Sequence, residues 1–136
     1  MMKKADIFKV SNEDLLWIYP DHALDAALEK CRAECDAALF ILTMGPDGAR
    51  GFAGGADITV PATPVPQMVD TVGAGDTFMA SFLSWALDTG RTDRAALNAI
   101  ELDGLETVMR RATQAASINC ARQGCNPPTL AELGLL

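Results

Sequence analysis

No apolar stretch in the 136 residues approaches the ~20 consecutive residues that a membrane-crossing helix needs. The opening Met1-Met2-Lys3-Lys4 is positively charged, but Asp6 and Lys9 follow at once and no signal-peptide apolar run develops. Basic charge is scarce: 11 lysines and arginines stand against 18 aspartates and glutamates, for a net charge of −7. With no basic stripe to offset that balance, nucleic acid and anionic membrane are poor general partners. Histidine is nearly absent as well. His22 is the one histidine, it falls in the first turn of a helical segment with no second ligand nearby, and it reads as a surface residue. The four cysteines, Cys31, Cys35, Cys120 and Cys125, are spaced i,i+4 and i,i+5 in two distant places, which fits neither a zinc ribbon nor a CxxC redox pair. Free thiols in a cytoplasmic protein are the expectation.

What the chain does have is length for one domain with a real core and one Gly-rich stretch, Asp70-Thr71-Val72-Gly73-Ala74-Gly75-Asp76-Thr77-Phe78, running straight into an apolar helix. Gly73 and Gly75 put no Cβ where a ligand would face, so consecutive backbone N–H groups can reach an anion. The following helix adds the positive end of its dipole at the same spot. Asp76 then sits in the first turn, where a second anion should be unwelcome. That pairing makes chemical sense if the carboxylate takes a proton from a hydroxyl while the hydroxyl attacks phosphorus.

Around this stretch the pattern alternates strand and helix. Ala5 to Val10 has strand character, and Ser11 with Asp14 has capping-box spacing before Leu15, Leu16 and Ile18. Pro20 ends that helix, and Asp21 is placed to cap the next, on which Leu24, Leu28, Cys31 and Cys35 recur at helical spacing. Ala37 to Thr43 is a continuous apolar run suited to a parallel strand buried on both faces, so a right-handed crossover is expected. Thr43-Met44-Gly45-Pro46-Asp47-Gly48 leaves the strand's C-terminal end, where open α/β sheets bind ligands. A hairpin through Gly54-Gly55 follows, then an extended segment with Pro61, Pro64 and Pro66 that delivers Asp70. The helix from Gly75 carries Thr77, Ser81, Ser84 and Asp88 on one polar stripe, with Phe78, Met79, Phe82, Leu83, Trp85 and Leu87 around the rest, and stops at Gly90. A short helix near Thr92 or Asp93 precedes a longer one, capped at Asp103 with Glu106, whose small residues suit close packing against the buried helix.

The stretch Asp70 to Phe78 resembles the second signature of the ribokinase-like (pfkB) carbohydrate kinases, D-T-x-G-A-G-D-x-F, at every fixed position. The resemblance implies an α/β, ribokinase-like fold, this chain being the C-terminal nucleotide-binding part of a mainly parallel sheet flanked by helices. Members of that family are longer and carry the signature in their second half, so the sugar-binding N-terminal half and the lid are not expected within this sequence. By resemblance Asp76 is the general base, and the backbone of Gly73, Ala74, Gly75 and Asp76 forms the anion hole. The family's N-x-x-E turn near magnesium and phosphates corresponds to Ser11 and Asp14, with wording closest to the fructokinase-like branch. Thr43, Gly45 and Gly48 match its T-x-G-x-x-G nucleotide loop, and Thr113 stands at the adenine-side helix position. Asp70, Val72, Asn119, Arg122 and Gly124 fall at the monovalent-cation positions, a potassium site by its hard oxygens, although Pro128 replaces a serine ligand. The implied activity is phosphoryl transfer from ATP, with Mg2+, to a small sugar, the protein being an oligomer or associating with an N-terminal half. A non-catalytic nucleotide-binding or assembly module is the alternative.

Overall fold

The computed structural model describes residues 4–135; Met1, Met2 and Lys3 of the charged start, and Leu136, lie outside them. The centre is strand β2 (Leu39–Thr43), whose side chains alternate between two packed layers. Leu39 and Ile41 enter one apolar cluster, and Phe40 and Leu42 enter the other. Burying each such side chain contributes about 1.5–3 kcal/mol, which is why the apolar run sits in the middle of the sheet. β1 (Ile7–Ser11) pairs parallel to β2, and β3 (Ala49–Ala53) and β4 (Ala56–Val60) add antiparallel on the other side, in the order β1-β2-β3-β4. The sheet of this chain is therefore mixed. Its parallel character is carried by β1 and β2 alone, because the tight turns at Gly45–Asp47 and Gly54-Gly55 each reverse the chain.

One face of the sheet is covered by α1 (Asn12–Ile18) and α2 (Leu24–Glu34), which form the β1–β2 crossover and bury Leu15, Ala27, Leu28 and Cys31 against Val10, Phe40 and Leu42. The other is covered by α3 (Ala74–Asp88), α4 (Arg94–Asn98) and α5 (Leu102–Cys120). Ser11 caps α1 through its side chain, accepting from the Asp14 N–H at 3.0 Å, and Asp93 caps α4 by accepting from Ala96 N–H at 2.9 Å.

Two helix starts differ from the sequence expectation. Asp21 does not cap α2, because His22 N–H bonds back to the Tyr19 carbonyl in a turn and the helix begins beyond Ala23. Asp103 lies inside the first turn of α5 and does not cap it; Glu101 is the N-cap residue, and buried Ile100 and Leu105 flank the entry at staple positions. The polar stripe of α3 is also turned. Phe78, Phe82 and Trp85 recur at i, i+4 and i+7 and take the buried face, carrying Thr77 and Ser81 inward with them and leaving Leu83 and Leu87 outside. Neither buried hydroxyl finds a hydrogen-bond partner among the described residues. α5 packs along α3, and Arg111 of α5 donates to Ser84 Oγ at 3.0 Å.

Candidate functional site

The parallel pair ends with Ser11 opposite Thr43, and α3 begins on the same side of the molecule as Lys9, one strand turn earlier. Gly73 is the N-cap of α3, with φ 75° and ψ 6°, and no side chain caps the helix. This left-handed conformation sends the Gly73 carbonyl to the Thr77 N–H at 2.8 Å, while the Ala74 N–H is taken by the Thr71 carbonyl at 3.2 Å. Ala74 is thus a supporting residue, and the N–H groups of Gly75 and Asp76 are left at the open end of the helix. Gly73 is needed sterically as well: a Cβ there would stand 2.3 Å from Cys125 Sγ and 2.8 Å from Cys125 Cβ.

Lys9, which the sequence reading did not single out for the site, also comes to this corner. A Cβ built on Gly75 would lie 3.2 Å from Lys9 Nζ, so the ammonium rests against the helix's first turn. Lys9 is half-buried, and none of the ion pairs among the described residues includes it. An ammonium without a carboxylate beside an uncapped helix N-terminus makes two positive features converge, and an anion satisfies both. The signal was present in the sequence: Lys9 is the one charge in the strand run Ile7-Phe8-Lys9-Val10, on the face that Ile7 turns to the core. Asp76 and Asp14 are both exposed. Asp76 carries the second of the two open amides as well as its carboxylate, and Asp14 opens α1 just past the end of β1.

Asp70 holds the loop to the tail. Its Oδ1 accepts from Val72 N–H at 2.9 Å and its Oδ2 from Gly124 N–H at 3.0 Å. These two amides hold the Asp70 carboxyl below the usual carboxylate range. Asn119, fully buried, is the hub beneath: its Nδ2 donates to the Val72 carbonyl at 2.9 Å, and its Oδ1 accepts from Asn126 N–H at 2.8 Å. Val69 and Asp70 N–H both bond the Cys120 carbonyl, and burial with the nearby Asp70 charge pushes the Cys120 thiol up. The five residues expected at a potassium site are thus in one region, but their groups are joined to one another. Both Asp70 oxygens and the Val72 carbonyl already accept hydrogen bonds, and Arg122 turns its guanidinium to Glu132 and the Asn126 and Pro127 carbonyls. Each of these three oxygens thus has a hydrogen-bond partner within the protein.

At the nucleotide-loop positions, Gly45 is exposed, while Gly48, at φ 96°, is packed so tightly that a Cβ would meet the Val60 carbonyl at 2.1 Å. Thr43 turns its hydroxyl toward the Val10 carbonyl at 3.5 Å. Thr113 is buried: its hydroxyl donates to the Arg110 carbonyl at 2.8 Å and lies 3.2 Å from Thr63 Oγ1, so it is committed within the protein. Among the described residues no group of three His, Cys, Asp or Glu side chains is gathered as a metal site. A lone exposed carboxylate such as Asp14 suits magnesium that arrives with phosphate oxygens, since that ion is commonly held by one or two carboxylates plus the phosphates.

A strand–helix crossover sheet, an uncapped helix N-terminus, an ammonium outside every ion pair among the described residues and an adjacent carboxylate thus meet at one corner of an α/β protein. Residues 1–132 match the pfkB family carbohydrate kinase description, and the chain belongs to that family. It is 43% identical to the fructokinase of Rhizobium leguminosarum bv. trifolii over 86 residues, 62% of this chain and 25% of that protein. It is 32% identical to the fructokinase of Klebsiella pneumoniae over 111 residues, 82% of this chain and 36% of that protein. A solved fructokinase with bound ATP from Xylella fastidiosa superposes with a TM-score of 0.83 at 24% identity, over 97% of this chain and 42% of that one. The ribokinase-like fold is thereby established, and the chain spans less than half of each of these three relatives.

Proposed function

We propose that this chain carries the phosphoryl-transfer site of an ATP-dependent sugar kinase of the fructokinase or ribokinase type. The observation that carries the reading is Lys9 Nζ against the first turn of α3, at the open Gly75 and Asp76 amides. In this reading the sugar hydroxyl oxygen attacks the γ-phosphorus as its bond to the β–γ bridging oxygen breaks, ADP leaves, and Asp76 takes the hydroxyl proton. The two amides and the Lys9 ammonium face the charge on the transferring group, a preorganised arrangement that needs no reorientation as charge shifts. Asp70 and Asn119 keep the turn in register from behind, and the Thr43–Gly48 turn borders the nucleotide. Magnesium, when bound with the nucleotide, neutralises phosphate charge, and Asp14 is the carboxylate available to it.

Because the chain spans 25% and 36% of the two fructokinases compared above, the acceptor sugar in this reading is not positioned by these residues alone. Proximity accounts for roughly 7–11 kcal/mol of such a barrier, so the isolated chain is expected to phosphorylate no sugar above background. The test uses an assembled enzyme containing this chain. Asp76→Asn should lower kcat by about 10²–10⁴ while leaving nucleotide affinity nearly intact; near-normal kcat would remove Asp76 from its role. The second reading, a non-catalytic assembly module, would show the wild-type assembly binding partners but not turning over.

A further inference from the structure

A cavity of about 300 Å3 opens where β2 begins and the β3–β4 hairpin turns, and its wall includes Arg32, Ala38, Phe52, Gly54, Asp57 and Asn98. A Cβ on Gly54 would stand 2.1 Å from the Asn98 carbonyl, so the hairpin tip and the end of α4 meet backbone to backbone. Arg94 fastens the same corner, donating from Nη1 to the Asp6 carboxylate at 3.1 Å and from Nη2 to the Asp36 carbonyl at 2.6 Å. The walls are thus fixed by backbone and tied loops, around a volume at the lower end of small-molecule pockets.

Two guanidiniums share the buried Phe52 ring, with Arg32 Cζ 3.7 Å and Arg50 Cζ 4.8 Å from its centroid. Their partners differ. Arg50 is closed by a two-point pair, Nε and Nη2 donating to the two Asp57 oxygens at 3.0 and 2.8 Å. These bonds outweigh burial and hold the Asp57 carboxyl below its usual range, so it stays ionised. Arg32 makes one hydrogen bond among the described residues, from Nη1 to Glu29 at 3.2 Å, and the Glu29 side chain is 68% exposed. Such a surface pair is weak, and it leaves Nε and Nη2 of a stacked guanidinium as donors at the cavity wall. Asp57 adds acceptor capacity to that wall, and the Asn98 amide adds both a donor and an acceptor.

We infer that this cavity binds a small hydroxycarboxylate, its carboxylate on Arg32 in place of Glu29 and its hydroxyls on Asp57 and Asn98. A planar carboxylate matches the guanidinium fork. The ionised Asp57 opposes a dianionic phosphate, and a neutral polyol leaves the Arg32 donors unused. The inference stands apart from the kinase reading. Ala38 lies at one end of β2 and Thr43 at the other, about 16 Å along the strand, so this ligand and a nucleotide occupy opposite ends of the sheet.

The test titrates the full 136-residue chain, isotope-labelled for amide NMR, with gluconate as the probe. Fructose serves as the neutral comparison and inorganic phosphate as the anionic one. Gluconate should move the Gly54, Gly55 and Ala56 amides saturably, with a Kd of about 1 mM or tighter, and leave Gly73 and Gly75 in place. Fructose and phosphate should bind about tenfold more weakly or worse. Arg32→Gln should weaken gluconate about tenfold or more, and Arg32→Lys, which keeps the charge without the fork, should fall between. Asn98→Leu, at an exposed position, should weaken it as well, and so tests the site even where an Arg32 variant fails to fold. No saturable shift at the hairpin overturns the inference, as does gluconate affinity indifferent to folded Arg32→Gln or to Asn98→Leu. Equal binding of fructose or of phosphate overturns it too, by removing the carboxylate or the hydroxyls from the recognition. So do gluconate shifts at Gly73 and Gly75 that Mg-ATP abolishes, since the ligand would then lie in the phosphate site.

Discussion

Gly73→Ala perturbs the anion-site turn in two ways whose sizes can be separated. An L-residue held at φ 75° costs about 1–2 kcal/mol relative to glycine. The new Cβ also enters the space of Cys125, 2.3 Å from Sγ and 2.8 Å from Cβ, an overlap that forces the tail loop away at about 1–3 kcal/mol. The sum is roughly 2–5 kcal/mol. At roughly 3–5 °C per kcal/mol for a domain of this size, Tm should fall by about 6 °C at the least. Urea denaturation of four proteins, wild type, Gly73→Ala, Cys125→Gly and the double variant, forms a cycle. Cys125→Gly removes the overlap but not the backbone strain, so the double variant should recover the steric share and keep the strain. If Gly73→Ala is neutral, or if Cys125→Gly recovers nothing, the packing of the turn against the tail is wrong.

Asp70→Asn should destabilise the chain at neutral pH, because the carboxylate accepts from Val72 and Gly124. Its folded-state pKa is depressed, so this stability is present above the unfolded value of about 3.9 and is lost as pH falls through the folded value. Wild type and variant should therefore converge in acid denaturation experiments below about pH 4; a constant gap would argue against the assigned hydrogen bonds. Tyr19 is the single tyrosine, and burial, then its hydrogen bond to Glu34, pushes its phenol up to about 12. Phenolate absorbance, followed while near-ultraviolet circular dichroism stays native, should rise near that value, and a midpoint near the ordinary ~10 would refute the burial. Exchanging sodium for potassium should leave Tm unchanged, since the Asp70 loop is closed by hydrogen bonds; a clear rise in potassium would reopen the cation site.

What could be read from the sequence is what short stretches decide for themselves. The Gly-rich entry to α3, the Ser11 cap, the Gly54-Gly55 hairpin and the two-sided burial of β2 each follow from neighbours a few residues apart, and each is found. What escaped was set by distant packing. The rotation of α3 was decided by where Phe78, Phe82 and Trp85 could be buried, so its polar stripe turned inward and Leu87 outward. Lys9 counted in the sequence only among the charges near the N-terminus, and it is the fold that brings it to Gly75. Asn119 stood in the sequence only as a cation position, and the fold adds a buried side-chain amide that joins Val72 to Asn126. The hydrogen bond from the Thr113 hydroxyl to the Arg110 carbonyl in its own helix was likewise not legible from spacing.

The central claim is that Lys9 and the first turn of α3 form one phosphate site, and calorimetric titration of the 136-residue chain with Mg-ATP tests it most directly. Lys9→Met keeps the length and apolar body of the side chain and removes only the charge that faces Gly75. The account predicts measurable Mg-ATP binding by the wild-type chain and a loss of about tenfold or more in Lys9→Met, the scale of one charge-assisted contact of about 1.5–3 kcal/mol. Equal affinity in the two proteins, with both shown to be folded, would contradict it.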